Sequence, residues 1–274
     1  MENFKKLKSF DLESLTIIGT SIEFIWGIIA AIAFLIYLIV GTGVINGSIF
    51  IMAIAIAFLI LITSIPKIFA SGFLYNYLIN RLMDVKVKII DMAEVTNVSI
   101  IPTATIVAII TVILYVIVYP IIFVIISTML PILSLFGMDA LALTIVSPLS
   151  IVYAFVLPFF LTIVALFVFN NVAPRIGGIK VSLAVEGDKV ALNNVNPVSA
   201  GINAGIISLV LELAIGLVIS IAIIGNLPAS LTLIGVLAIS GLVGGFISGV
   251  VSSFLYNVLV KKLGPVKLGL EDSE

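Results

Sequence analysis

The sequence predicts an all-α integral membrane protein with six transmembrane helices. They form three parallel hairpin repeats about a pseudo-threefold axis, with short cytoplasmic β-strands. The 274 residues are 62% hydrophobic and only 10% charged, and the mean hydropathy is +1.39. Apolar runs of about 18 residues or more recur, long enough to cross the hydrocarbon core as helices. They lack the polar–apolar alternation of membrane-barrel strands.

The basic residues are distributed on one side of these runs. All 13 Lys and Arg lie in the N-terminal segment, the two long linkers and the C-terminal segment, and none lies in the loops within the hairpins. Cytoplasmic loops of membrane proteins carry an excess of Lys and Arg. We therefore expect a multi-pass protein of the cell membrane with both termini in the cytoplasm.

The first unit covers 1–88. Asp11 is a good N-cap for a helix predicted near 15–40, because its carboxylate can accept from the free amides of the first turn. A glycine-rich turn then leads to a second helix near 48–82. We expect this helix to leave the hydrocarbon at Lys67.

The second unit covers 89–183, with helices predicted near 101–130 and 141–171. Its segment 96–99 occupies the place that 11–14 has in the first unit, between a charged strand-like stretch and an apolar run. The second helix is followed by Arg175 and then by Gly177-Gly178, and a glycine pair stops a helix.

The third unit covers 184–274, with helices predicted near 200–224 and 229–263. Before it, Glu186-Gly187-Asp188 separates two short apolar stretches, a pattern typical of a β-hairpin. Asn196 is placed to cap the first helix of this unit.

The second helix of every unit ends in one motif. An aromatic residue and an asparagine are followed by a base five residues after the asparagine and by a lysine ten residues after it. We expect a structural role, in which the asparagine bonds free backbone groups and a glycine then stops the helix. The motif residues are Asn76, Asn170, Asn257, Gly177, Gly178 and Gly264.

Helical hairpins in tandem share one orientation, so the units are expected to be parallel repeats about an axis along the membrane normal. The strand that follows one hairpin can then pair with the strand that precedes the next. The circle would close if 266–270 met 5–12. We expect a small sheet.

Two acids, Glu23 and Glu212, lie within predicted spans, near mid-membrane. An intramembrane acid is a functional candidate by default, and Thr20 and Asn203 complete the candidate polar site. We expect no basic partner for either acid, so each carboxyl should be protonated. Two interpretations stay open: a site that binds or relays a proton or cation, or a glutamic acid that donates a hydrogen bond to a neighbouring helix.

Composition excludes several activities. The chain has no Cys and no His, which removes thiolate and imidazole chemistry and most zinc and haem sites. The net charge of −1 gives no basis for nucleic-acid binding. We predict no enzyme activity, no catalytic residue, no metal site and no cofactor.

The motif Asn196-Pro197-Val198-Ser199, together with Asn170 and Gly177-Gly178, resembles a small bacterial two-helix transmembrane domain of unknown function. The resemblance implies three tandem copies over nearly the whole chain, and the first copy has Met83-Asp84 in place of the glycines. That family supplies no activity.

The function most consistent with the sequence is a non-enzymatic membrane subunit or scaffold. Its cytoplasmic strands would dock a protein partner or a second copy, and its helices would contact the bilayer. The alternative is a small ion, proton or solute channel or transporter that uses Glu23 and Glu212. Sparse intramembrane polarity favours the scaffold, since permeation paths need polar lining.

Overall fold

The computed structural model describes residues 2–43, 47–135, 139–220 and 227–273. Within them, long apolar helices alternate with short strands. The elements, in chain order, are β1 (Glu2–Phe10), α1 (Leu12–Thr42), α2 (Gly47–Ile79), β2 (Lys86–Ile90), β3 (Glu94–Val98), α3 (Ile100–Leu135), α4 (Asp139–Val146), α5 (Leu149–Ile176), β4 (Ile179–Glu186), β5 (Lys189–Val195), α6 (Pro197–Ile219), α7 (Leu227–Leu263) and β6 (Val266–Asp272).

Six helices are long and apolar enough to cross a membrane: α1, α2, α3, α5, α6 and α7. They pair as hairpins α1–α2, α3–α5 and α6–α7, and neighbouring hairpins touch through α2–α3, α5–α6 and α1–α7. The predicted fourth helix is divided, because the chain bends at Ser147-Pro148 between α4 and α5. Proline at that point lacks the amide that would continue the helix.

The six strands form one closed antiparallel barrel in the order β1-β2-β3-β4-β5-β6. The expected closure is confirmed: β1 pairs with β6, and Lys5 is opposite Asp272. The strands on either side of each linker also pair as expected, β2 with β3 and β4 with β5.

The prediction of a small sheet missed part of the pairing. The strand before each hairpin also pairs with the strand after it. The two helices of a hairpin end side by side, so its incoming and outgoing strands start close together. This pairing turns three separate strand pairs into a ring without free edges.

The main apolar core lies where the helices meet the barrel. One cluster packs Ile18 and Tyr256 against Val266, and a second packs Ile79 and Ile106 with Val85. Farther from the barrel, the helices expose most of their apolar side chains: at most 17% of the most apolar window of any span is buried within the protein. That exposed surface is suited to lipid, which solvates apolar side chains.

The α6–α7 hairpin packs most closely, through a glycine face on α7. A Cβ at Gly245 would lie 2.7 Å from the carbonyl oxygen of Ala204, and one at Gly249 would lie 2.8 Å from that of Ala200. Small residues allow such close backbone approach between membrane helices. The glycine spacing on α7 therefore serves packing within the hairpin.

Candidate functional site

The three motif asparagines make the same contact between a helix and the barrel. Each side-chain amide donates from Nδ2 to a backbone carbonyl at 2.8 Å and accepts the backbone N–H of the same residue at Oδ1 at 2.7 to 2.9 Å. The pairs are Asn76 with Phe10, Asn170 with Val98 and Asn257 with Val195.

Each of these backbone partners is the last residue of a strand, where the ladder stops and the next helix begins. The asparagine amide therefore takes the place of a neighbouring strand and satisfies two backbone groups that would otherwise be orphaned. We call these three contacts the asparagine clamps. They tie the end of each second helix to the start of the first helix in the same hairpin.

Two of the adjacent aromatic residues strengthen the clamps. The Tyr75 hydroxyl donates to the carbonyl of Leu7 at 3.0 Å, and the Tyr256 hydroxyl donates to that of Leu192. Phe169 has the third position and lacks a hydroxyl, but it is buried, with 4% of its surface exposed. The aromatic position is thus part of the core in every hairpin.

The motif lysines contribute through their backbone. In each case the lysine amide donates to a serine Oγ near the start of the following first helix, at 2.9 to 3.2 Å. The pairs are Lys86 with Ser99, Lys180 with Ser199 and Lys267 with Ser14.

The asparagine clamps change the alignment of the second unit. Asp11 and Asn196 are the N-caps of α1 and α6, and each clamp holds the residue just before the cap. In the second unit the clamped residue is Val98, so Ser99, rather than Thr96, stands at the cap position. The clamp and the start of α3 at Ile100 shift the expected match of 96–99 with 11–14 by three residues. The lysine contact keeps the expected match, because Ser99 accepts from Lys86 as Ser14 accepts from Lys267.

The glycine breaks allow the chain to turn from helix to strand. Gly177 and Gly264 have φ of +91° and +87°, which favours glycine. Gly178 approaches β3 so closely that a Cβ there would lie 2.1 Å from the carbonyl oxygen of Val95. Its amide donates to the Glu94 carboxylate at 2.6 Å.

The expectation that Glu23 has no basic partner is wrong. The Lys67 ammonium lies 2.7 Å from its carboxylate, so the protonated, lone acid expected there is replaced by an ion pair. The two residues meet because each lies about 12 residues, or ~18 Å, from the barrel end of its helix. The sequence contains a signal for this contact. Glu23 and Lys67 are equally far from the barrel ends of two antiparallel helices, so their side chains come to the same height.

The same spacing leaves a long uncharged stretch on each of the two helices. Beyond it, α1 has no charged residue, and α2 has none before Lys67. Each uncharged stretch is about 20 residues, or ~30 Å, which matches the hydrocarbon thickness. On the side away from the barrel, the ion pair therefore borders a stretch of α1 and of α2 that carries no charge.

Glu212 lies in a different hairpin, packed on α7. A Cβ at Gly241 would lie 2.7 Å from its Cγ, so the glycine makes room for the side chain. Among the described residues, its carboxylate has no hydrogen-bond or ion-pair partner. It lies about 16 residues from its helix cap, ~6 Å farther from the barrel than Glu23.

The other two members of the expected polar site form no hydrogen bond with the acids within the described residues. Thr20 is 8% exposed, and its hydroxyl has no partner in the described part of the chain. Asn203 is 2% exposed, and its Nδ2 donates to the carbonyls of Ser199 at 2.9 Å and Gly177 at 3.2 Å. Asn203 thus belongs to the joint between α5 and α6.

The position of Asn203 is apolar in the other hairpins. Counted from the helix caps, it corresponds to Ile18 and Ile106, which are 2% and 1% exposed. The Asn203 Oδ1 is buried without a partner among the described residues. The third hairpin therefore differs from the first two, because it has a buried asparagine where they have isoleucine.

A half-polar pocket of about 260 Å³ opens beside Asn203. It lies between the end of α5, the start of β4 and the start of α6. Its polar groups come mainly from Lys180, Asn196 and Ser199, and its apolar groups come from Ile176, Val198 and Ile202.

The outer surface of the barrel carries ion pairs. Lys189 binds Asp11 at 2.8 Å, and Lys6 and Lys8 bind Asp84 at 2.7 and 3.3 Å. The hydrogen bond from Lys189 and those from Ser14 lower the pKa of Asp11 from 3.8 to about 2. The barrel charges are thus largely compensated among themselves.

No group of three or more acidic side chains that could hold a metal ion occurs in the part of the chain described above. No protein-family model, no curated protein and no solved structure matches this sequence. The helices define a polytopic membrane protein, and any more specific role has to be argued from the geometry.

Proposed function

We propose that this chain is a non-enzymatic membrane scaffold, in which three copies of one hairpin module are held in a circle by a cytoplasmic barrel. The supporting observation is the closed barrel, to which every hairpin contributes its two strands. The motif that recurs in the three units contains the clamp asparagines, so the proposed module has a structural reason for its sequence pattern.

The barrel also argues against permeation along the axis. Eight strands give an interior just wide enough for side chains to fill, so six strands leave less room. Ile89 and Val190 are buried in it, at 6% and 8% exposure. A continuous water path would need polar lining, and the buried side chains of the described strands are mostly apolar.

The exposed end of the barrel is the proposed docking face for a cytoplasmic protein or a second copy. It includes the β4–β5 turn, where Glu186, Gly187 and Asp188 are exposed. Turns that a closed barrel holds in place are suitable for binding a protein, because few additional residues have to become ordered on binding. Orientation in the membrane follows from the charge distribution of the loops.

A photo-crosslinking residue at Asp188 tests this proposal in the native membrane, with one at Ile51 as a lipid-facing control, since Ile51 is 69% exposed on α2. We expect a discrete protein adduct from Asp188 and none from Ile51. If the two positions give the same adducts, or neither gives one, the barrel is not a docking face.

The alternative is a channel or transporter, and the observation that favours it is the unpaired Glu212 on the α6–α7 interface. Proton and cation flux into liposomes containing the purified protein separates the two functions. A transporter predicts flux that Glu212→Gln abolishes and Glu271→Gln, on the barrel surface, preserves. The scaffold predicts no flux above that of protein-free liposomes.

A further inference from the structure

Two bases beside the joint between α5 and α6 differ from several bases elsewhere that form ion pairs. Lys5, Lys67 and Lys267 have carboxylates at 2.7 to 3.1 Å. In the described part of the chain, Arg175 and Lys180 are exposed and have no such partner. Unpaired cations close to a bilayer attract anionic headgroups, whereas paired ones are neutralised locally.

We infer that the pocket next to Arg175 binds the phosphate headgroup of an anionic lipid in the leaflet on the barrel side. The pocket contains donors and little negative charge. Lys180 contributes an ammonium. The side-chain Nδ2 of Asn196 has no partner among the described residues, because only its Oδ1 is used to cap α6. The positive end of the α6 dipole points to the same place.

The nearest carboxylate is already engaged. Glu94, whose backbone is opposite Lys180 in the β3–β4 pair, accepts the Gly178 amide at 2.6 Å. It makes no ion pair with Lys180 within the described residues. The cations available to an anion at this place are Lys180 and the nearby Arg175, which are exposed and have no ion-pair partner among the described residues.

The apolar side of the pocket identifies the source of the phosphate as a lipid. Ile176, Val198 and Ile202 line it and are 49%, 58% and 39% exposed. They lie at the helix ends, where the chain leaves the membrane. A soluble phosphate gains nothing from this surface, while the glycerol and first methylenes of a lipid would cover it.

The two corresponding positions lack this combination. Lys267, equivalent to Lys180, is bound by Glu186 at 3.1 Å, and Lys86 is only partly exposed. The positions equivalent to Asn203 also hold buried isoleucines, Ile18 and Ile106. We therefore expect one preferred lipid for each chain.

Native mass spectrometry of the full chain in detergent, titrated with phosphatidylglycerol or phosphatidylcholine, tests the site. We expect one preferred phosphatidylglycerol, and the double variant Arg175→Gln/Lys180→Gln should lower that preference about 25-fold, on the order of fivefold per charge. The control Lys5→Gln/Lys267→Gln removes the same charge from ion-paired positions and should keep the preference. The charge-preserving Arg175→Lys/Lys180→Arg should retain most of it.

Equal binding of the two lipids by the wild type would overturn the inference. So would an equal loss in the control, because bulk charge would then explain the preference. Inorganic phosphate that raises the melting temperature as much as phosphatidylglycerol does would assign the pocket to a soluble anion. The melting temperature of each variant without lipid verifies that it is folded.

Discussion

Asn170 and Asn171 offer a direct test of the asparagine clamps, because neighbouring asparagines have different contacts. Asn170→Ala removes both hydrogen bonds to Val98 and leaves its N–H and carbonyl unsatisfied in a half-buried place. Asn171 is exposed and donates only to the carbonyl of Phe167, four residues earlier on its own helix. Asn171→Ala is therefore the matched control.

The expected loss follows from the two bonds. A hydrogen bond contributes about 1 kcal/mol net, and a buried group left unpaired costs about 1–3 kcal/mol. Asn170→Ala should lower the free energy of unfolding by roughly 2–4 kcal/mol, and Asn171→Ala should change it by less than about 0.5 kcal/mol.

Thermal unfolding in detergent, followed by circular dichroism, gives the two stabilities. Hydrogen exchange at the Val98 amide gives the local effect, which should be faster exchange in Asn170→Ala alone. Equal stabilities of the two variants, or unchanged protection of Val98, would refute the clamp as a stabilising contact.

Three further variants test other contacts. Gly245→Ala should destabilise by about 1–3 kcal/mol through overpacking, while Gly244→Ala, where a Cβ meets nothing within 4 Å, should be neutral or stabilising in the same melting assay. The low pKa of Asp11 contributes stability that is present above pH 3.8 and lost as the pH falls through about 2; Asp11→Asn should flatten the melting temperature over that interval. A double-mutant cycle of Glu23→Gln and Lys67→Met should give a coupling of about 1 kcal/mol, and a coupling of zero would contradict the ion pair.

The sequence was most informative where chemistry repeats. Six apolar runs and one-sided charge predict the spans, and the recurring asparagine and lysine predict that strands meet on one side. Pairing of β1 with β6 followed from treating the hairpins as a circle. The pairing of strands within a hairpin was missed, because it depends on how closely the two helix ends approach.

Side-chain partners were harder to predict. Glu23 and Lys67 are far apart in sequence, and their contact depends on the height of each residue above the barrel. The shift of three residues in the second unit arises because Ser99 stands directly before α3 while its hydroxyl also accepts the Lys86 amide. Local sequence patterns predict neither the Glu23–Lys67 contact nor this shift, because both depend on where neighbouring helices and strands end.

The pairing of β1 with β6 leaves the two chain termini on adjacent strands. The fold should therefore tolerate circular permutation. A short linker could join the two ends, and new termini could be introduced at the β2–β3 turn around Asp91. Every strand pair and clamp would be preserved, so the rearranged gene product should insert and fold with a different hairpin synthesised first.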